Sequence, residues 1–173
     1  MPLYYDEFSD LPVDWPMILV GWRGFAGKKL SAEQVITYAL EQIGKGTSEQ
    51  DDVAALLASA DPLDWQTIDR YLEQIVENQQ IDRATAIRKW RLSEFKNLLP
   101  SLSSSGRVQQ HPGDALMSLY EDLFDLWHKY DELPDSVNMM SFGGNTITEV
   151  LAEQQAWAER EEAALRGEIG AKP

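Results

Sequence analysis

Asp125 and His128 stand three residues apart in a segment of helical period. That spacing puts a carboxylate and an imidazole on one helix face. Di-metal sites in helical bundles use such pairs, but they need two of them plus carboxylates from other helices. This chain has 2 His and no Cys, and the second histidine, His111, precedes Pro112 in a segment that reads as loop. A single pair holds no metal well, so no metal and no cofactor are expected. No serine sits in a Gly-x-Ser-x-Gly turn. Gly24 to Gly27 and Gly143-Gly144 lack a phosphate-loop spacing, and Lys28-Lys29 is not a Gly-Lys-Ser/Thr ending. Adjacent acids such as Glu121-Asp122 and Asp51-Asp52 are common in a chain with 29 Asp+Glu, and solvated faces carry most such pairs. The expectation is a protein that is not an enzyme.

A different cluster suggests binding. Asp122, Asp125, Asp131, Glu132 and Asp135 precede Met139 and Met140 within a short stretch. Acids beside flexible, polarisable methionines suit contact with a basic partner. The competing reading makes the acids the wet face of a helix and the apolar residues the seal of a bundle end. Tyr4, Tyr5 and Phe8, set among Asp6, Glu7 and Asp10, form a second candidate contact.

The charge supports a basic partner. The net charge is -14 on 173 residues, which repels nucleic acid and anionic membranes. Residues 1–110 hold 16 acids and 11 bases, whereas residues 111–173 hold 13 acids and 4 bases. One segment runs the other way: between Asp82 and Leu99, Arg83, Arg88, Lys89, Arg91 and Lys96 face only Asp82 and Glu94. A basic helix inside an acidic protein is expected to pack beside acidic neighbours rather than to bind phosphate.

These residues must be positioned by helices, because apolar residues recur near a 3.6 period almost throughout. The spacing predicts about seven helices in one all-α domain over residues 1–173, with a flexible Ser-rich loop at about 101–111 and a frayed tail at about 167–173. Asp14 caps a helix with stripe Trp15, Ile18, Leu19 and Trp22, and Pro16 lies in its first turn. Ser31 with Gln34, and Thr146 with Glu149, are capping boxes. The second helix is read with Val35, Ile36, Ala39, Leu40 and Ile43 inward, ending at Gly44 or Gly46. The third carries Val53, Leu56 and Leu57 up to the Asp61-Pro62 turn. The fourth, capped by Asp64, carries Trp65, Ile68, Leu72, Ile75 and Val76 and stops near Asn78. The fifth is expected to stop at Pro100. The sixth runs from about Pro112 to Asp131, with Leu116, Leu119, Tyr120, Leu123, Phe124, Trp127 and Tyr130 inward. The seventh is expected to end at Gly167.

No apolar run reaches the roughly 20 residues of a membrane span. The start lacks a basic region and an apolar core, so it does not read as a signal peptide. Together with the absence of cysteine this predicts a cytoplasmic protein.

Several segments in series carry a family resemblance: Val13 to Trp22, Leu30 to Ala39, Asp52 to Ala58, Arg88-Lys89-Trp90, Glu121 to Asp125, and Leu133-Pro134-Asp135 leading to Phe142. The series resembles an uncharacterised family of small all-helical bacterial proteins. These look like immunity proteins of polymorphic or contact-dependent growth-inhibition toxin systems. The resemblance spans most of residues 11–165 and implies no active-site residues. It implies a protein that neutralises a cognate toxin, and the acidity implies a basic, nuclease-type toxin domain as the partner. The alternative is an acidic regulatory or adaptor protein that binds some other basic partner.

Overall fold

The computed structural model describes residues 11–25, 30–45, 51–77, 83–102, 112–130 and 146–170. Among them are seven helices and no strand: α1 (Trp15–Trp22), α2 (Ala32–Lys45), α3 (Asp51–Ala58), α4 (Trp65–Glu77), α5 (Arg83–Leu102), α6 (Pro112–His128) and α7 (Ile147–Gly170). The all-α class is as the sequence predicts. Two compact units divide the chain, Met1–Ile87 and Arg88–Pro173.

In the first unit α1 packs against α2 and α4, and α3 against α2 and α4. Asp14 starts α1 by accepting the Met17 N–H at 3.1 Å, and Pro16 needs no intrahelical donor in the first turn. Met17, Val20 and Gly21 are buried along with Trp15, Ile18 and Trp22. A helix that is apolar all round belongs inside a core, so α1 is covered on more sides than one stripe implies. Gly24 takes φ 82° just after it, a conformation that glycine adopts at no steric cost. Leu30 then donates its N–H back to the Gly21 carbonyl at 2.9 Å. The other two expected caps of this unit also form: Ser31 Oγ accepts from Gln34 N–H while Gln34 Oε1 accepts from Ser31 N–H, and Asp64 Oδ1 accepts from Thr67 N–H. Tyr38 stands edge-on to Trp15, with ring centres 4.8 Å apart, and its hydroxyl donates to the Val13 carbonyl.

In the second unit α6 packs against α7. The buried residues of α6 are Ala115, Leu119, Leu123, Leu126 and Trp127, and those of α7 include Val150, Ala158 and Leu165. Thr146 and Glu149 exchange the two bonds of a capping box at the start of α7.

Two predicted helix ends move. Pro100 does not stop α5, which continues through Ser101 to Leu102. A proline inside a helix removes one intrahelical bond and its ring crowds the carbonyl four residues back. Here the Ser101 hydroxyl donates to the Leu98 carbonyl at 2.7 Å, and Leu102 is buried. Those two contributions hold the last turn. Gly167 does not end α7, which runs to Gly170. A glycine inside an exposed helix costs only about 1 kcal/mol relative to alanine, and buried Leu165 with the Arg166–Glu162 pair secures the turn before it. α2 ends at Lys45, between the two expected stops Gly44 and Gly46. The rest of the Ser-rich segment, residues 103–111, lies outside the described residues, as do Gly46, Asn78, Asp131 and the tail from 171 onward.

Candidate functional site

The partner surface expected from the sequence falls only in part on the described residues. Asp122 is half-buried on α6 and Asp125 is exposed. Asp131, Glu132, Asp135, Met139 and Met140 lie outside the described residues, as do Tyr4, Tyr5, Phe8 and His111. What α6 presents outward is more apolar than its sequence suggests. Met117 is 62% exposed and Phe124 is 56% exposed. The two stand one heptad apart, hence on one helix face. Phe124 stacks on His128, with ring centres 5.8 Å apart and planes 8° apart. Phe124 was expected in the core; the inward stripe is instead Leu119, Leu123, Leu126, Trp127 and Tyr130, and it leaves no room for a residue on the opposite face. Glu121 and Asp125 are exposed beside this apolar strip. The outward face of α6 therefore pairs acids with an aromatic and a methionine. His128 is part of an aromatic stack, and no group of three His, Asp or Glu side chains suited to a metal exists among the described residues.

The basic segment does pack beside acids. Glu161 of α7 receives Arg88 in a bidentate pair, Nε to Oε1 at 2.9 Å and Nη2 to Oε2 at 3.0 Å. It also receives Arg91 Nη2 at 3.0 Å. The Arg91 guanidinium is fully buried, 5.2 Å from the ring centre of Trp127 and 5.0 Å from that of Trp157. Trp127 donates its indole N–H to Gln154 Oε1, while Gln154 Nε2 is buried and has no acceptor among the described residues. One turn further on, Lys96 and Arg166 share Glu162, whose carboxyl is held below its usual range, chiefly by the Lys96 hydrogen bond. Glu94 takes the Tyr130 hydroxyl at 2.7 Å and Lys129 at 3.0 Å. Arg88, Arg91 and Lys96 of α5 are thus engaged inside the second unit, with two indoles against the most buried one.

The first unit builds a smaller cluster. Asp69 accepts Arg23 through two bonds, 3.1 and 3.0 Å, and the Trp22 indole N–H at 3.1 Å. Glu73, one turn along α4, takes the same guanidinium. Arg23 holds the Asp69 carboxyl below its usual range, and the two carboxylates raise Arg23 in turn.

The model of a family described as an uncharacterized protein conserved in bacteria, DUF2247, matches residues 5–161. The chain belongs to this family. No curated protein matches it, and no solved structure does. DUF2247 covers nearly the whole stretch over which the sequence resembles small helical bacterial proteins, and its description names neither a toxin nor an immunity role. No helix among the described residues is long and apolar enough to cross a membrane.

Sequence reasoning missed further exposed residues. Leu40 and Leu56 were read as core, yet both are about half exposed or more, at 55% and 50%. Their helices bury Val35, Tyr38 and Ala39, and Ala54 and Leu57, instead. Trp65, expected at the head of the α4 stripe, is 61% exposed, and Leu63 before it is 87% exposed. One signal was available for this last pair. Leu63 and Trp65 flank an N-cap, and cap residues lie at helix ends, where coverage by neighbours is least assured.

Proposed function

We propose that this DUF2247 protein is a cytoplasmic immunity protein. It binds one cognate toxin, a basic nuclease-type domain, and neutralises it by covering its substrate surface, with no reaction and no cofactor of its own. The observation that carries the reading is where the charges go. Arg88, Arg91 and Lys96 are paired with Glu161 and Glu162, whereas Glu121 and Asp125 face solvent beside Met117 and Phe124. A net charge of -14 is thereby expressed outward, next to apolar side chains that can be desolvated on contact. A nuclease domain must be basic to hold phosphate, and an acidic inhibitor captures it quickly by long-range attraction.

The test is co-purification with the protein encoded by the neighbouring gene, followed by association kinetics across salt. Reversing Glu121 and Asp125 to lysine is expected to slow association about tenfold at low salt, with a smaller change in dissociation. An association rate indifferent to salt and to both reversals overturns the acidic-face reading. A neighbouring product that is not a toxin overturns the immunity reading.

A further inference from the structure

Leu63 and Trp65 share one turn between α3 and α4, and they are the second observation that points to a binding surface. Leu63 is the most exposed large apolar residue described, at 87%, and Trp65, two residues on, is 61% exposed. A single exposed leucine is ordinary on a soluble protein. An exposed tryptophan two residues from it, in a turn that is already ordered, is not. Leu63 N–H donates to Asp61 Oδ1 at 2.9 Å, and Asp64 N–H donates to the Asp61 carbonyl at 2.9 Å. Asp64 Oδ1 then accepts Thr67 N–H at 3.1 Å as the cap of α4. Trp65 is three residues before Ile68, and Ile68, Leu72 and Ile75 are the buried stripe of α4. The indole therefore continues the apolar stripe of its helix beyond the part that the core covers.

The rim of this patch is acidic. Asp61 and Asp64 are both exposed, and Pro62 and Gln66 between and after them are uncharged. Asp64 is held ionised, its carboxyl lowered chiefly by Thr67. The cation that acts on Asp64 is Arg70, whose guanidinium lies over the Tyr71 ring on the same helix. An apolar anchor between two carboxylates is complementary to a pocket bordered by lysine or arginine. A second copy of the chain would bring the same acids against each other, and each copy carries -14.

We infer that the Asp61–Trp65 turn is the anchor by which this chain grips a basic protein partner: Leu63 and Trp65 enter an apolar pocket, and Asp61 and Asp64 meet the cations at its edge. This rests on the reading of the chain as a binder of a basic protein and names where that partner is held. Tryptophan leads the residues that dominate interface energetics. A turn ordered before contact spares the entropy that a loose loop loses on binding.

The experiment uses the full chain with 5-fluorotryptophan, its Trp65 fluorine resonance assigned by Trp65→Phe. The probe is an amphipathic peptide of about 18 residues with leucine on one face and lysine on the other. At low salt the Trp65 resonance is expected to shift on titration. Leu63→Asp is expected to weaken binding at least about tenfold, and Leu40→Asp, at an exposed leucine of α2 outside both proposed contacts, to change it by less than about twofold. Leu63 is so exposed that its replacement leaves folding intact, and the unchanged remaining tryptophan resonances verify this. If Phe124→Asp abolishes binding while Leu63→Asp does not, the anchor lies on α6; the turn is then wrong and the binder reading stands. If the peptide does not bind the unmodified chain at all, the binder reading falls and the inference with it. A free chain whose Trp65 resonance ignores a soluble paramagnet has the turn covered by its own residues, which overturns the inference. A resonance that shifts with the concentration of the chain alone means that a second copy is the occupant, which also overturns it.

Discussion

Arg23 in the first unit and Arg91 in the second use the same chemistry in opposite surroundings. Each gives guanidinium N–H bonds to a carboxylate on another helix, Asp69 for Arg23 and Glu161 for Arg91. Each has tryptophan at hand: the Trp22 indole donates to Asp69, and Trp127 and Trp157 lie against Arg91. The Arg23 side chain is 46% exposed, whereas that of Arg91 is 0% exposed. Water screens the first pair and competes for its donors, so the pair contributes little net stability. The second pair has no water to fall back on. Its assembly gains little over a well-packed apolar substitute, but losing one partner leaves a charge stranded in the core. The difference teaches that burial, not bond count, decides what an ion pair does here. Arg23 tacks the end of α1 to α4, while Arg91 makes the α5–α7 arrangement intolerant of any change at Glu161.

The largest expected effect comes from stranding the buried cation. Glu161→Gln leaves Arg88 and Arg91 without their shared carboxylate, at a cost of about 3–5 kcal/mol in urea unfolding. The same substitution combined with Arg91→Met recovers part of that loss, since a buried charge deprived of the Glu161 carboxylate no longer lies against the two tryptophans. A double variant no more stable than Glu161→Gln alone breaks the comparison, because the cost would then lie in packing rather than in charge.

Acid sharpens the contrast from the other side. The Asp69 carboxyl is lowered from its usual 3.8 in the folded chain. The unfolded chain therefore takes up this proton first as pH falls, and folding keeps the carboxylate ionised. The stabilisation is present above about pH 3.8 and is lost as pH falls through the lower folded value. Glu162 behaves in the same way from its usual 4.5 downward. Asp69→Asn is expected to flatten the part of the stability profile below about pH 3.8 that Asp69 causes. A profile of unchanged slope in that window shows that Arg23 does not hold the carboxylate in solution.

The smallest effect belongs to the exposed arginine itself. Arg23→Gln is expected to cost about 0.2–1 kcal/mol, and roughly 1 M salt should erase most of the difference from the unmodified chain. A cost that matches that of Glu161→Gln, or one that salt does not touch, removes the distinction between the two pairs.

Much of the architecture is legible in the sequence, for local reasons. Ser31 with Gln34, Thr146 with Glu149, and the caps Asp14 and Asp64 work through side chains that reach backbone groups three residues away, so spacing alone specifies them. The 3.6 period places Ile68, Leu72 and Ile75 inward correctly, and the excess of cations between Arg83 and Lys96 announces an acidic neighbour. What the sequence leaves open is where coverage ends. Leu40, Leu56, Trp65 and Phe124 fit apolar patterns as well as their buried neighbours do, yet they are exposed. A period states which face a residue occupies and not how far along that face another helix extends. Pro100 and Gly167 fail as stops for a related reason: the burial of Leu102 and Leu165 offsets a local cost of about 1 to 3 kcal/mol. Composition made the chain acidic, and the 3.6 period of its apolar residues made it helical. That Glu161 and Glu162 should take up Arg88, Arg91 and Lys96 was settled only by packing, because residues some 70 positions apart meet through the fold and not through spacing.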